Sequence, residues 1–104
     1  MSTPIYSFGR MKIKDYDQYM EQYGVPFLDI LAQFKGKLLA ATKNGHVIEG
    51  KEDGNWTVLI EFPNGKAAAE FYQSPAYAPL KKLRLETLTE QALAISFPAE
   101  IPSK

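Results

Sequence analysis

Apolar positions along this chain switch repeatedly between a two-residue and a three-to-four-residue period, and each switch marks the edge of an element. From Ile5 to Lys12 the pattern alternates. Ile5, Ser7, Gly9 and Met11 share one face, and Tyr6, Phe8, Arg10 and Lys12 share the other, as in a strand. Both faces begin apolar, which is unusual for a sheet with one wet side. Behind Asp15, a residue type suited to an N-cap, large apolar side chains fall three or four apart. They are Tyr16, Tyr19, Tyr23, Phe27, Ile30 and Phe34, with Met20 and Leu31 broadening the stripe. This predicts a helix. Gly24-Val25-Pro26 interrupts it: proline lacks a donor and disfavours helical geometry at the residue before, so a kink or two abutting helices are expected. Gly36 is the expected left-handed terminator.

Lys37 to Ala41 and His46 to Glu49 are strand-like, with Thr42-Lys43-Asn44-Gly45 between them. Asn44-Gly45 marks either a tight hairpin or a bulge in one long bent strand. The bulge is preferred, because a hairpin leaves two very short strands. Lys51 to Asn55 reads as a turn. Trp56 to Phe62 is the strongest strand, with Trp56, Val58, Ile60 and Phe62 on one face and Thr57, Leu59 and Glu61 on the other. Pro63 stops it. Asn64 caps a helix whose buried side is Ala67, Ala68, Phe71 and Tyr72. Ser74-Pro75 starts another helix, which Pro79 delays to Ala78-Pro79 and which runs to about Glu90, with Leu80, Leu83 and Thr87 inward. Leu93 to Phe97 is the last strand, and Pro98 to Lys104 a tail. The order β-α-β-β-α-β is the ferredoxin-like α+β arrangement, with an antiparallel sheet in the order 4-1-3-2.

At 104 residues the chain is a single domain, residues 1–104 with its core in 5–97. With 45% hydrophobic, 12% aromatic and 23% charged residues, it is of ordinary globular composition. The absence of cysteine excludes disulfides, thiolate metal sites and cysteine nucleophiles. Twelve basic residues balance twelve acidic ones, so the field that nucleic acid or an anionic membrane needs is missing. Neither partner is expected. Met1-Ser2-Thr3-Pro4 is not the start of a signal peptide, and no apolar run reaches the roughly 20 residues of a membrane span. A cytoplasmic protein is expected.

Catalytic candidates are two. His46 is the only histidine and the one side chain with an unperturbed pKa near neutrality; it reads as an acid/base at a pocket mouth or as an exposed residue after a bend. Glu61 sits among apolar neighbours on a central strand, where a carboxylate needs a partner or a proton. It reads as a pocket base or as the ion-pair partner of Arg10. Substrate-binding candidates are Arg10, Glu49, Tyr72 and Arg84: an arginine can grip a carboxylate through two bonds, and a tyrosine can orient it. The competing readings are a capping helix arginine for Arg84 and a core aromatic for Tyr72. Tyr16, Tyr19 and Tyr23 read as core and rim packing, and Trp56 as an anchor of the sheet or of a dimer face. One histidine without cysteine supports no metal site, and no cofactor is expected.

Val47-Ile48-Glu49-Gly50, Glu61-Phe62-Pro63 before the cap Asn64, and Phe71-Tyr72-Gln73-Ser74-Pro75-Ala76-Tyr77 with Arg84 seven residues on together resemble the bacterial domain-of-unknown-function family thirteen-thirty. The resemblance runs from Ile5 to Phe97. The chain departs from the family pattern at His46, where members often carry an acidic residue, at Asn64, where they have serine, and at Pro79. The resemblance implies a dimeric α+β barrel in which two ferredoxin-like sheets pack face to face; the family's own activity is not established. The two greasy strand faces independently point to a homodimer, because soluble monomers rarely leave a large apolar patch wet. Two functions are open. One is a cofactor-independent enzyme, or a binder, for a small acidic or aromatic metabolite. Glu61 or His46 would move its proton and Arg84 or Arg10 would hold the anion. The other is a non-catalytic homodimeric structural or sensing module with a closed interior and Arg10 paired to Glu61.

Overall fold

Alternation along the first strand turns Ser7, Met11 and Ile13 under a layer of helices and leaves Tyr6, Phe8, Arg10 and Lys12 on the opposite side in the computed structural model, which describes residues 3–103. Strand β1 (Ile5–Ile13) pairs with β3 (Trp56–Phe62) on one flank and β4 (Thr89–Pro98) on the other. Strand β2 (Lys37–Thr42) pairs with the far side of β3. All pairs are antiparallel, and the order β2-β3-β1-β4 is the expected arrangement with the first and third strands central. The fold is ferredoxin-like α+β.

Helix α1 (Tyr16–Tyr19) begins where Asp15 Oδ1 accepts from the Gln18 N–H at 3.0 Å. It passes into a π-helical segment, Met20–Gly24, and then into α2 (Val25–Gln33). The expected interruption is therefore a stretch of wider helix. Pro26 lies in the first turn of α2, and the π segment before it absorbs the bond its missing N–H cannot make. At the far end Gly36 N–H donates to Leu31 O and Lys35 N–H to Ala32 O, a Schellman closure. The left-handed residue there is Lys35, at φ 63°, and not Gly36 as expected. Gly36 is small for another reason: a Cβ on it would run into Leu31 and lie 3.0 Å from Phe62 Cε1.

The second half follows the same logic. Asn64 Oδ1 accepts from Ala67 N–H at 2.8 Å to start α3 (Gly65–Gln73). Ser74 Oγ then accepts from Tyr77 N–H, and α4 (Ala78–Leu83) follows with Pro79 in its first turn, where its missing donor costs nothing. The expected long helix to Glu90 is corrected here. A second π-helical segment, Arg84–Leu88, follows α4, and β4 starts at Thr89 rather than Leu93. The wider turn changes which residue follows the buried Arg84 inward: Leu88 is buried, while Thr87 is exposed.

Residues 43–55 hold the other departure. His46 to Glu49 form no strand, and Asn44-Gly45 is neither a hairpin turn nor a bulge. The register shift in β2 lies between Leu38 and Ala40. Thr42 already faces Thr57, beside the first residue of β3, so His46 to Glu49 have no strand to pair with. The loop's return is tied to β1 instead. Arg10 donates to Glu52 Oε2, Gly54 O and Thr57 Oγ1, each at 2.6 Å. Asn55 bonds both backbone groups of Ile13 through its side chain. The pairing of Arg10 with Glu61 is thereby corrected: Arg10 is bound to Glu52, and these loop carbonyl and carboxylate groups satisfy its guanidinium.

Between sheet and helices lies a core rich in rings, including Tyr19, Tyr23, Phe27, Phe62, Phe71 and Tyr77. Trp56 belongs to it: the indole faces Tyr16 and Tyr19 at centroid distances of 5.5 and 6.1 Å, so it anchors β3 to α1 and not to the outer face. Because Gly36 is held against Leu31 and Phe62, Gly36→Ala is expected to lower unfolding stability by about 1–3 kcal/mol, read from the urea midpoint. An unchanged midpoint would show that this packing yields freely.

Candidate functional site

A cavity of about 230 Å³ lies between the inner face of β1 and β3 and the first helical layer. Its floor is small where the strand pattern calls for bulk: Ser7 and Gly9 on β1, with Ala94 opposite Gly9 on β4. Its walls are rings: Tyr16, Tyr19, Tyr23, Phe27, Tyr72 and Tyr77. Both π-helical segments border it, the first through Met20, Tyr23 and Gly24 and the second through Arg84. Such wide turns recur at functional sites because they re-aim a side chain without ending a helix. On the side of α2 and β2 the partly exposed Leu28, Leu38 and Ala41 form its mouth.

Among the described residues, Arg84 is the one charged residue lining this cavity. It is 7% exposed, and among the described residues no carboxylate pairs with it. Its Nη1 lies 3.8 Å from the Met11 sulfur, the Tyr77 hydroxyl is close to the guanidinium, and its Nε has no hydrogen-bond partner. The guanidinium also lies 5.9 Å from the Tyr23 ring centre, a cation–π distance. Burial opposes the charge, but the negative charge that Tyr23, Tyr77 and Tyr19 acquire at high pH, with a hydrogen bond to Tyr77, outweighs it and holds the pKa above the ordinary arginine value. Arg84 is thus a buried cation that keeps its charge without an anion beside it, an arrangement that costs stability unless something completes it.

The hydroxyls around it are also distinctive. Tyr23 and Tyr77 share a hydrogen bond of 2.7 Å, and Tyr19 donates to Met11 Sδ at 3.8 Å. Burial raises the pKa of Tyr19, Tyr23 and Tyr72 above the phenol range, so at neutral pH all are donors. Ser7 is 3% exposed, and its Oγ makes no well-formed hydrogen bond, with the Tyr72 hydroxyl its polar neighbour. The site therefore offers a cation and several donors to a ligand, and no acid.

Of the sequence candidates, Arg84 and Tyr72 come together at the cavity. The others do not line it. Glu61 is half-buried on the outer face, opposite Tyr6 and Lys37. Arg10 lies on that same face, fastened to the 51–55 turn. His46 and Glu49 are exposed in the loop after β2. Sequence reasoning did not single out Ser7 and Gly9, although the signal was present: two small residues sit between Ile5 and Met11 at alternate positions of a central strand. Among the described residues, no group of three or more His, Asp or Glu side chains is placed to hold a metal, and no helix is long and apolar enough to cross a membrane.

A family model described as Domain of unknown function (DUF1330) matches residues 4–97. Solved structures repeat the fold. The protein of unknown function RPA0582 from Rhodopseudomonas palustris superposes with a TM-score of 0.76 at 18% identity, over 98% of this chain and 86% of that one. A hydroxynitrile lyase from Passiflora edulis gives 0.69 at 14% identity, over 100% of both chains. A dimeric ferredoxin-like protein of unknown function from Thermobifida fusca gives 0.63 at 10% identity, over 94% of this chain and 92% of that one. No curated protein matches. At such identities the likeness establishes the fold and leaves the chemistry to the site.

Two outcomes follow from the site's electrostatics. Arg84→Met keeps the stem and removes the buried charge, so it is expected to raise unfolding stability by about 1–3 kcal/mol, seen as a higher urea midpoint; a loss would mean the guanidinium is satisfied within the fold. The buried tyrosines set an alkaline limit. Their folded pKa values lie above the unfolded 10.0, so the unfolded chain loses its protons first. The stabilisation is complete below 10.0 and declines as pH rises through the folded values. Urea midpoints are expected to fall between about pH 9 and pH 11, more than in a Tyr19→Phe, Tyr23→Phe variant.

Proposed function

The chain belongs to the family described as Domain of unknown function (DUF1330), and we propose that it binds a small, mainly apolar organic anion between its sheet and helices, as a homodimer. The observation that carries this reading is Arg84, a buried cation without a counter-charge facing an otherwise uncharged cavity. A carboxylate, enolate or phenolate in the cavity would accept from the Arg84 guanidinium. In a site from which water is excluded, such a bond is far stronger than in solution. Room and walls support the class: an apolar cavity of roughly 150 Å³ accommodates benzene, so about 230 Å³ holds one ring and a small substituent. Tyr72 forms part of the wall and orients the guest through its edge.

A purely structural module would close its interior and pair its buried charges. Here the interior is open and Arg84 is unpaired. Since Glu61 and His46 stand outside the cavity, the reading is one of binding, and we assign no proton transfer to them.

The dimer is carried by the opposite face. Helices cover one side of the sheet. On the other, Phe8, Leu59, Leu93, Ile95 and Phe97 lie on neighbouring strands, with Leu93, Ile95 and Phe97 exposed at 52%, 50% and 41%. A second copy buries this patch by two-fold symmetry, and one neighbour of the same fold is described as dimeric.

Thermal-shift titration with benzoate and its uncharged analogue benzamide tests the pocket. Benzoate is expected to raise the melting temperature of the wild type, benzamide much less, and Arg84→Met is expected to lose the difference. Equal shifts from both compounds would remove the anion reading. For the dimer, light scattering at micromolar concentration is expected to give the mass of two chains, falling to one in Ile95→Lys. A monomeric wild type would overturn the assignment.

A further inference from the structure

Two residues of β1 weaken the fold at the same place. Ser7 buries a hydroxyl that makes no well-formed hydrogen bond, its polar neighbour being the Tyr72 hydroxyl, on the inner face of a central strand between Ile60 and Ser96. An unsatisfied buried polar group destabilises, and an alanine would remove the problem. Two residues on, Gly9 sits mid-strand, where glycine is unfavourable relative to alanine. Its backbone does not call for glycine: φ is not in the left-handed region, and a Cβ there would meet nothing nearer than Met11 Cε at 3.5 Å, an ordinary contact. Both residues border the Arg84 cavity. Local rules broken together on one floor point to a ligand and not to folding.

We propose that β1 is the second recognition element of this cavity: Ser7 Oγ hydrogen-bonds a hydroxyl or carbonyl of the guest, and bare Gly9 leaves the space its ring occupies. The substrate class narrows accordingly, from any apolar anion to a single-ring carboxylate or enol bearing a further polar substituent. This rests on Arg84 as the anion grip. Arg84 sets the charge of the guest, Ser7 reads its substituent, and Gly9 limits its width. A Cβ at residue 9 would stand at the cavity floor in ordinary contact with Met11, Leu93 O and Val58, so alanine narrows the site and the bulkier valine is expected to block it, while both suit a strand.

The test is calorimetric titration of the full chain with benzoate, the three monohydroxybenzoates and benzamide. In the wild type at least one hydroxybenzoate is expected to bind roughly 2- to 12-fold more tightly than benzoate, the value of one net hydrogen bond. Ser7→Ala is expected to erase that preference and to melt no lower than the wild type. Gly9→Ala is expected to melt higher by roughly 2–8 °C and to bind all the ring compounds less tightly. Gly9→Val is expected to abolish their binding while remaining folded by circular dichroism. If Ser7→Ala keeps the hydroxyl preference, or Gly9→Val binds as the wild type does, the β1 assignment is wrong while Arg84 stands. If benzamide binds the wild type as well as benzoate does, it is the Arg84 reading that fails.

Discussion

Flat rings do not fill the space above a strand of small residues, and the architecture of this protein turns on that mismatch. The helical layer meets the sheet through tyrosines and phenylalanines, packed against one another at centroid distances such as 4.4 Å for Phe71 and Tyr77 and 5.1 Å for Tyr19 and Tyr23. These rings hold the helices at a distance set by their own width. On β3 the large side chains of Trp56, Val58, Ile60 and Phe62 rise toward the rings, the first three forming one side of the cavity. Over Ser7 and Gly9 of β1 nothing large rises to meet the rings, and the cavity is what remains. Close packing elsewhere keeps it from collapsing, since the surrounding core has few ways to rearrange.

Helix geometry then decides what faces that space. In a regular α-helix running on from α4 the inward positions would follow Leu80 and Leu83. Arg84, four residues after Leu80, lies on that inward face, and the π-helical segment Arg84–Leu88 widens the turn so that Leu88 and not Thr87 follows it inward. Its counterpart, Met20–Gly24, lets α2 start at Val25 with Pro26 in its first turn, while Tyr23, four residues after Tyr19, faces the same cavity. The two helical stretches thus bring a cation and a hydrogen-bonded tyrosine pair to one cavity, and burying the unpaired cation costs stability.

The two faces of the sheet divide the work. The inner face carries the cavity and the outer face carries the apolar patch, and alternation along each strand keeps them separate. Arg10 belongs to the outer side and holds the 51–55 turn against the sheet through Glu52, Gly54 and Thr57. That network explains why an arginine can lie on a half-apolar surface without drawing Glu61 to it.

The order of elements, the central strands, the caps at Asp15 and Asn64 and the break at Gly24-Val25-Pro26 were legible in the sequence because each depends on neighbours within a few residues: a period, a capping oxygen, a missing N–H. Elements that depend on distant partners were misread. His46 to Glu49 have the composition of a strand, but β3 begins too late to pair with them, and the helix expected to reach Glu90 gives way to β4 at Thr89 because β1 offers Ile13 as its partner there. The site divides along the same line. That Arg84 and Tyr72 carry chemistry could be suspected from residue type; that they share a cavity with Ser7 and Gly9, while Glu61 and Arg10 face the other way, is a property of register. A strand's pattern says which residues lie together on a face, and only the packed layer says what stands above them.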